Sequence, residues 1–244
     1  MRVRWAEHEF MLLAERALYL PALRALFVAD VHLGKDAAFR AGGIPVPASA
    51  SATLQRLSAA LRRADADSLY VLGDLWHARE GLTPETLDRL AEWRRTHARL
   101  NVTLIRGNHD EHAGDPPAEL RIECRATADV AGLRLLHHPP CATPETVAPM
   151  LCGHLHPAFV LRERSGATIR LPCFWLRPRY GVLPAFGDFT GCKAIRAEPA
   201  DRIFVASPEG VHEAAVPHGN RYNRSPRARA GSSGPGARGA GPEG

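Results

Sequence analysis

Residues 101–110 read NVTLIRGNHD. Asn101 to Arg106 suits a short strand, and the run empties into Gly107, Asn108, His109 and Asp110. Asn108 offers a neutral amide oxygen to a divalent cation. His109 follows directly, so its side chain projects differently and suits a proton donor better than a ligand of the same ion. Asp110 is placed to orient that imidazole through a hydrogen bond.

The same grammar recurs on both sides of this stretch. Leu23 to Asp30 (LRALFVAD) is a buried strand that runs on into Val31 and His32. Ser68 to Asp74 (SLYVLGD) ends in Gly73-Asp74, a carboxylate able to bridge two metals through its two oxygens. Gly132 to Leu136 leads into His137-His138-Pro139, and Met150 to Cys152 into Gly153-His154-Leu155-His156. In a straight strand, residues i and i+2 share a face, so Asp30 and His32 are expected on one ion. Any single cluster has an ordinary reading as a turn carboxylate or a packed imidazole. Five of them in one chain, each at a strand end, make the donor set of a two-metal hydrolytic site.

The rest of the chain frames these clusters. Ser49 to Ala64 is expected to be helical, with Leu54, Leu57 and Leu61 at helical spacing, and Thr83-Pro84 is a helix start. Strands alternating with helices as far as residue 110 predict an α/β layered fold. Two hairpins are expected beyond, one turning at Ser165-Gly166 and one at Ser207 to Gly210. With 244 residues, 45% of them hydrophobic, the chain suits one sizeable domain. The domain is read as residues 1–217, followed by a disordered Arg/Gly/Pro-rich tail over 218–244.

The net charge is +5, but the tail's five arginines against one glutamate supply most of it. The body therefore has no strong basic balance of its own. Five cysteines without a CxxC pair exclude a disulfide framework or a Cys-rich zinc site and read as packed thiols. There is no membrane-length apolar run and no signal-peptide core near Met1, which places the expected compartment in the cytosol.

The order D-x-H, GD, GNHD, H-x-P, GHxH over residues 30 to 156 resembles the calcineurin-like metallophosphoesterase superfamily. That resemblance implies a four-layer α-β-β-α sandwich around a di-metal centre. Residue by residue, it assigns Asp30, His32 and His156 to a first metal, Asn108, His137 and His154 to a second, and Asp74 to the bridge. His137 is taken over His138 because the ligand stands two before the proline. It also implies that a metal-bridging hydroxide attacks phosphorus and that His109 protonates the leaving oxygen.

Further stretches narrow the match. They are His32 to Lys35, Gly42 to Pro47, Gly73 to Arg79, Leu171 to Trp175 and Leu183 to Gly191. Together they resemble the ligase-associated DNA-damage-response endonuclease branch. This implies DNA as substrate and association with a DNA ligase and helicase. The mixed oxygen and imidazole donors suit Mn²⁺, with Fe or Zn²⁺ as alternatives. Lys35 and Arg79, close in sequence to the first two clusters, are candidate phosphate contacts. Trp76 is weighed between the core and a base-stacking role, and the core is favoured. Two other readings are a phosphoesterase for a small substrate, such as a cyclic nucleotide or a nucleotide-linked lipid precursor, and an inactive scaffold. The complete ligand set argues against the scaffold.

Overall fold

A computed structural model describes residues 1–47, 49–140, 148–162, 166–188 and 190–216. The tail expected from 218, Cys141, Ser165 of the expected turn, and Phe189 lie outside the described residues. Among the described residues the strands form two sheets. The first runs in chain order: β1 (Arg2–Trp5), β2 (His8–Leu13), β3 (Ala17–Leu20), β4 (Ala25–Val28), β5 (Ser68–Leu72), β6 (Asn101–Ile105) and β7 (Ile122–Arg125). β1 to β4 pair antiparallel, and β4 to β7 pair parallel. Parallel pairing needs crossovers. These carry helices α1 (Lys35–Ala41), α2 (Ala50–Ala64), α3 (Pro84–Thr96) and the short α4 (Asn108–Ala113).

The second sheet contains β8 (Ala128–Val130), β9 (Leu133–Leu135), β10 (Met150–Cys152), β11 (Pro157–Arg162), β12 (Thr168–Leu176), β13 (Tyr180–Val182), β14 (Lys193–Ala194), β15 (Arg202–Ser207) and β16 (Gly210–Ala214). Here β10 lies parallel to both β9 and β13.

Three apolar layers hold this together. Between the sheets lie Phe10, Phe27, Leu72, Ile105, Leu151, Phe174 and Phe204, all fully buried. Each large side chain there contributes about 1.5–3 kcal/mol relative to exposure. α2 and α3 cover the outer face of the first sheet through Leu54, Leu57, Leu61, Leu90 and Trp93. The expected leucine spacing thus faces the core, and Thr83 caps α3 by accepting from Thr86 N at 3.2 Å. On the outer face of the second sheet, Cys173, Ile203 and Val205 pack with Ile195 and Ala197. The described α-helices all precede Gly114, so the described cover there is extended chain. The result is the α/β two-sheet fold expected from the sequence.

Trp76 is 1% exposed and packs in the core, as favoured over base stacking. The four described cysteines are free. No described helix is long and apolar enough to cross a membrane.

The topology sets up the site. Parallel pairing puts the carboxyl ends of β4, β5 and β6 at one end of the first sheet, and those of β9, β10 and β13 likewise in the second. A parallel bridge from Ala29 to Ala185 joins the two ends. Ligands of open α/β sheets gather outside such strand ends.

Candidate metal centre

β4 stops at Val28, so Asp30 and His32 do not project from one face of a straight strand as the spacing suggested. Both lie in the left-handed region, as do Asp74, His154 and His156, with φ between 47° and 69°. Each such residue costs on the order of 1–3 kcal/mol, and such strain concentrates at functional sites. Pairing between the two loops compensates. Asp30 N donates to Gly73 O at 3.1 Å and His32 N to Asp74 O at 2.8 Å. Two glycines let the clusters close up: a Cβ at Gly73 would strike the His137 ring, and one at Gly107 would strike the Asp74 carboxylate.

Two ligand sets result. Donor atoms of Asp30, His32 and His156 lie mutually within 4.8 Å. In this set His156 Nε2 is 3.3 Å from His32 Nε2 and 3.5 Å from Asp30 Oδ1. In the second, His137 Nε2 is 3.1 Å from Asn108 Oδ1 and 3.2 Å from His154 Nδ1. Asp74 stands between them, with Oδ2 3.8 Å from His32 Nε2 and Oδ1 3.5 Å from His137 Nε2. His138 is exposed, while His137 is buried and faces Asp74.

These atoms fit divalent cations, for a reason visible in the protonation pattern. His137 Nδ1 donates to Leu72 O and His156 Nδ1 to Gly191 O, each at 2.9 Å. In the neutral rings their Nε2 atoms are then bare acceptors. They face carboxylate and amide oxygens, which are acceptors as well. Lone pairs converging at 3.1–3.8 Å in a buried space repel unless a cation lies among them. Oxygen and imidazole nitrogen without thiolate suit divalent first-row ions.

Burial favours the ligand form of the imidazoles. It pushes His32 down to about 2, with nearby His156 and Lys35 adding to the effect. It pushes His154 down to about 4, reinforced by His138 and His137. Burial likewise raises the Asp74 carboxyl, against the lowering influence of His137. His156 behaves oppositely: burial lowers it, but the hydrogen bond and charge of Asp30 prevail and its pKa rises. Without an ion, the proton on His156 therefore stabilises the fold below the ordinary imidazole value, and this is lost as pH rises through the raised value. An ion must displace that proton. Mn²⁺ affinity of the first set, followed by calorimetry, is expected to drop roughly tenfold per pH unit below the raised value, with one proton released per ion. An affinity that stays flat from about pH 8 to pH 6 would contradict this competition.

His109 sits across from Asp74. Its backbone N donates to Asp74 Oδ1 at 3.0 Å, and its Nε2 is 3.9 Å from Asp74 Oδ2. The expected partner for its ring was Asp110, and the structure corrects that. Asp110 accepts from Gly107 N at 2.9 Å and Trp76 N at 3.1 Å, pinning the two loops together. The turn into α4 aims its carboxylate back at the helix start, and burial pushes that carboxyl up to about 6. His109 Nδ1 is held instead by the backbone carbonyl of His77, whose ring also stacks on that of His109.

Lys35 is 9% exposed, at the start of α1, with Nζ 5.6 Å from the Phe39 ring centre. No carboxylate pairs with it among the described residues, and burial lowers its pKa. Arg79 is exposed and lines a cavity of about 460 Å³ with His77, Asn108, His109 and His112.

Residues 23–157 match the calcineurin-like phosphoesterase family. The chain belongs to that family. Calcineurin-like phosphoesterases use a divalent metal pair, and this one is a metal-dependent phosphoester hydrolase. Its structure is similar to that of Pseudomonas putida nuclease MPE, with 42% identity and a TM-score of 0.74, covering 84% of this chain and 96% of that one. This is consistent with the ligase-associated endonuclease branch. Yfce, a phosphoesterase from E. coli, shares 17% identity over 77% of this chain and 90% of its own, with a TM-score of 0.38. No curated protein matches the chain.

The groups missed in the sequence of this phosphoesterase are mostly backbone carbonyls. Leu72, Gly191 and His77 each orient an imidazole at the site. All three lie within stretches quoted above, but their carbonyls carry no signature of their own.

Proposed function

We propose that the protein is a two-metal phosphodiesterase that cleaves nucleic acid, DNA first, in the service of DNA repair. One observation carries the proposal: Asp74 lies between two adjoining acceptor sets, with His109 Nε2 across from it. Asp30, His32 and His156 would hold one ion, Asn108, His137 and His154 the other, and Asp74 would touch both. Mn²⁺ is favoured, with Fe or Zn²⁺ as alternatives. When bound, such a pair supplies Lewis acidity and a nucleophile at neutral pH.

The chain's own groups do the rest. An imidazolium at His109 keeps its Nδ1 proton on the His77 carbonyl and directs its Nε2 proton to the departing oxygen. Asp110 serves this donor indirectly, by fixing the turn that carries it. Lys35, a buried cation without a carboxylate partner among the described residues, gains most from a phosphate, and Arg79 meets the substrate at the cavity lip. Residues 1–217 would form the catalytic domain, with 218–244 an appended basic tail. The similarity to a protein named a nuclease supports nucleic acid over a small substrate.

A Mn²⁺-dependent panel of DNA, RNA, a cyclic nucleotide and nitrophenyl mono- and diesters tests the reading. Cleavage of DNA and the diester is expected. Activity confined to the monoester would refute it.

A further inference from the structure

A second cavity, of about 470 Å³, adjoins the ligand sets at His154 and His156. His154, His156, Arg170, Gly191 and Lys193 line it, and it shares no lining residue with the Arg79 cavity. His32 neighbours one lining residue of each. Its ring is 5.0 Å from that of His109, in the Arg79 cavity, and 5.3 Å from that of His156, in the second. Both cavities adjoin residues of the centre, so a strand whose phosphate rests on both ligand sets has a cavity available for each of its two ends.

Exposed cations on this surface fall into two groups, those paired with a carboxylate and those, such as Arg99, that among the described residues are not. Arg24, Arg89, Arg106, Arg125, Arg134 and Arg202 each pair with a carboxylate. Arg170 and Lys193 are exposed and, among the described residues, pair with none. Arg170 Nη1 donates weakly to Cys192 O at 3.5 Å, which holds it over the loop whose Gly191 carbonyl orients His156. Arg162 extends this face. It sits opposite Thr168, and Val160 sits opposite Arg170, so both arginines point to the same side of the β11–β12 pair. Unpaired guanidinium and ammonium groups beside a phosphate-binding centre are suited to neighbouring phosphates.

We propose that this cavity binds the part of the strand that keeps the cleaved phosphate, with Arg170 and Lys193 on its flanking phosphates. His109 marks the Arg79 cavity as the leaving-group side. The assignment rests on the nucleic-acid reading above and adds the direction in which the strand lies.

A trinucleotide ending in a nitrophenyl phosphodiester tests it, because all its nucleotides lie on the retained side. With the Mn²⁺-loaded full chain, the double variant Arg170→Ala/Lys193→Ala is expected to raise KM for this probe roughly tenfold with kcat unchanged. Turnover of bis(nitrophenyl) phosphate should stay within about twofold. Anisotropy of a fluorescein-labelled oligonucleotide, without added metal, should show the salt slope of binding reduced by about 1 to 2. Arg99→Ala, an exposed arginine on the chain after α3, should change none of these.

Unchanged KM and salt slope in the double variant, or an equal effect from Arg99→Ala, would overturn the assignment alone. A wild-type protein that hydrolyses both esters with one KM and binds no oligonucleotide would overturn the nucleic-acid reading as well.

Discussion

Replacing Asp74 by asparagine is expected to strip at least one ion from the protein and to lower diester hydrolysis roughly 10³-fold, the several kcal/mol that a metal pair supplies. The substitution isolates charge from shape. Asp74 is 2% exposed, and its Oδ1 accepts from His109 N at 3.0 Å, a bond an amide oxygen can keep. What changes is the other oxygen, 3.8 Å from His32 Nε2. An amide nitrogen there presents N–H groups toward that imidazole and has no lone pair for an ion. The loop stays folded while the group between the two sets is lost. Elemental analysis after gel filtration should find fewer than two ions per chain. Two retained ions with full activity would remove Asp74 from its assigned place.

His109→Ala is expected to lose roughly 10²–10⁴ in rate on a dinucleotide, whose alkoxide must be protonated as it departs. On a nitrophenyl diester the loss should be under about tenfold, because nitrophenolate leaves without a proton. The structure motivates the split. The ring is anchored at Nδ1 by the His77 carbonyl, so Nε2 is the atom aimed across Asp74. His109 falls in neither of the sets that flank Asp74. Metal content should therefore stay at the wild-type level. Equal losses on both esters, or loss of an ion, would show His109 acting through the centre and not on the leaving oxygen.

The sequence carried the identities of the clustered residues and the strands that deliver them, because short apolar runs and strand-end acids are local patterns. It also carried the helices with strong signals: α2 through its leucine spacing and α3 through Thr83-Pro84. It did not carry α1 or α4, which are short and lack an apolar stripe of helical period. Asn108 was read at a strand end, yet it begins α4, and that turn is what sends Asp110 back to Gly107 and Trp76.

The left-handed backbone at Asp30, His32, Asp74, His154 and His156 is invisible to strand periodicity, since tertiary pairing between loops enforces it. Carbonyl partners such as Leu72 O and Gly191 O carry no side-chain signature at all. Lys35 was expected near the site, but its burial beside Phe39 depends on how α1 packs, which no local pattern specifies.

Crystals soaked with Mn²⁺ and measured at the manganese absorption edge test the central claim most directly. Two anomalous peaks are predicted, one among Asp30, His32 and His156, the other among Asn108, His137 and His154, with Asp74 in contact with both. A single peak, or peaks centred on His77 and His112 instead, would contradict it.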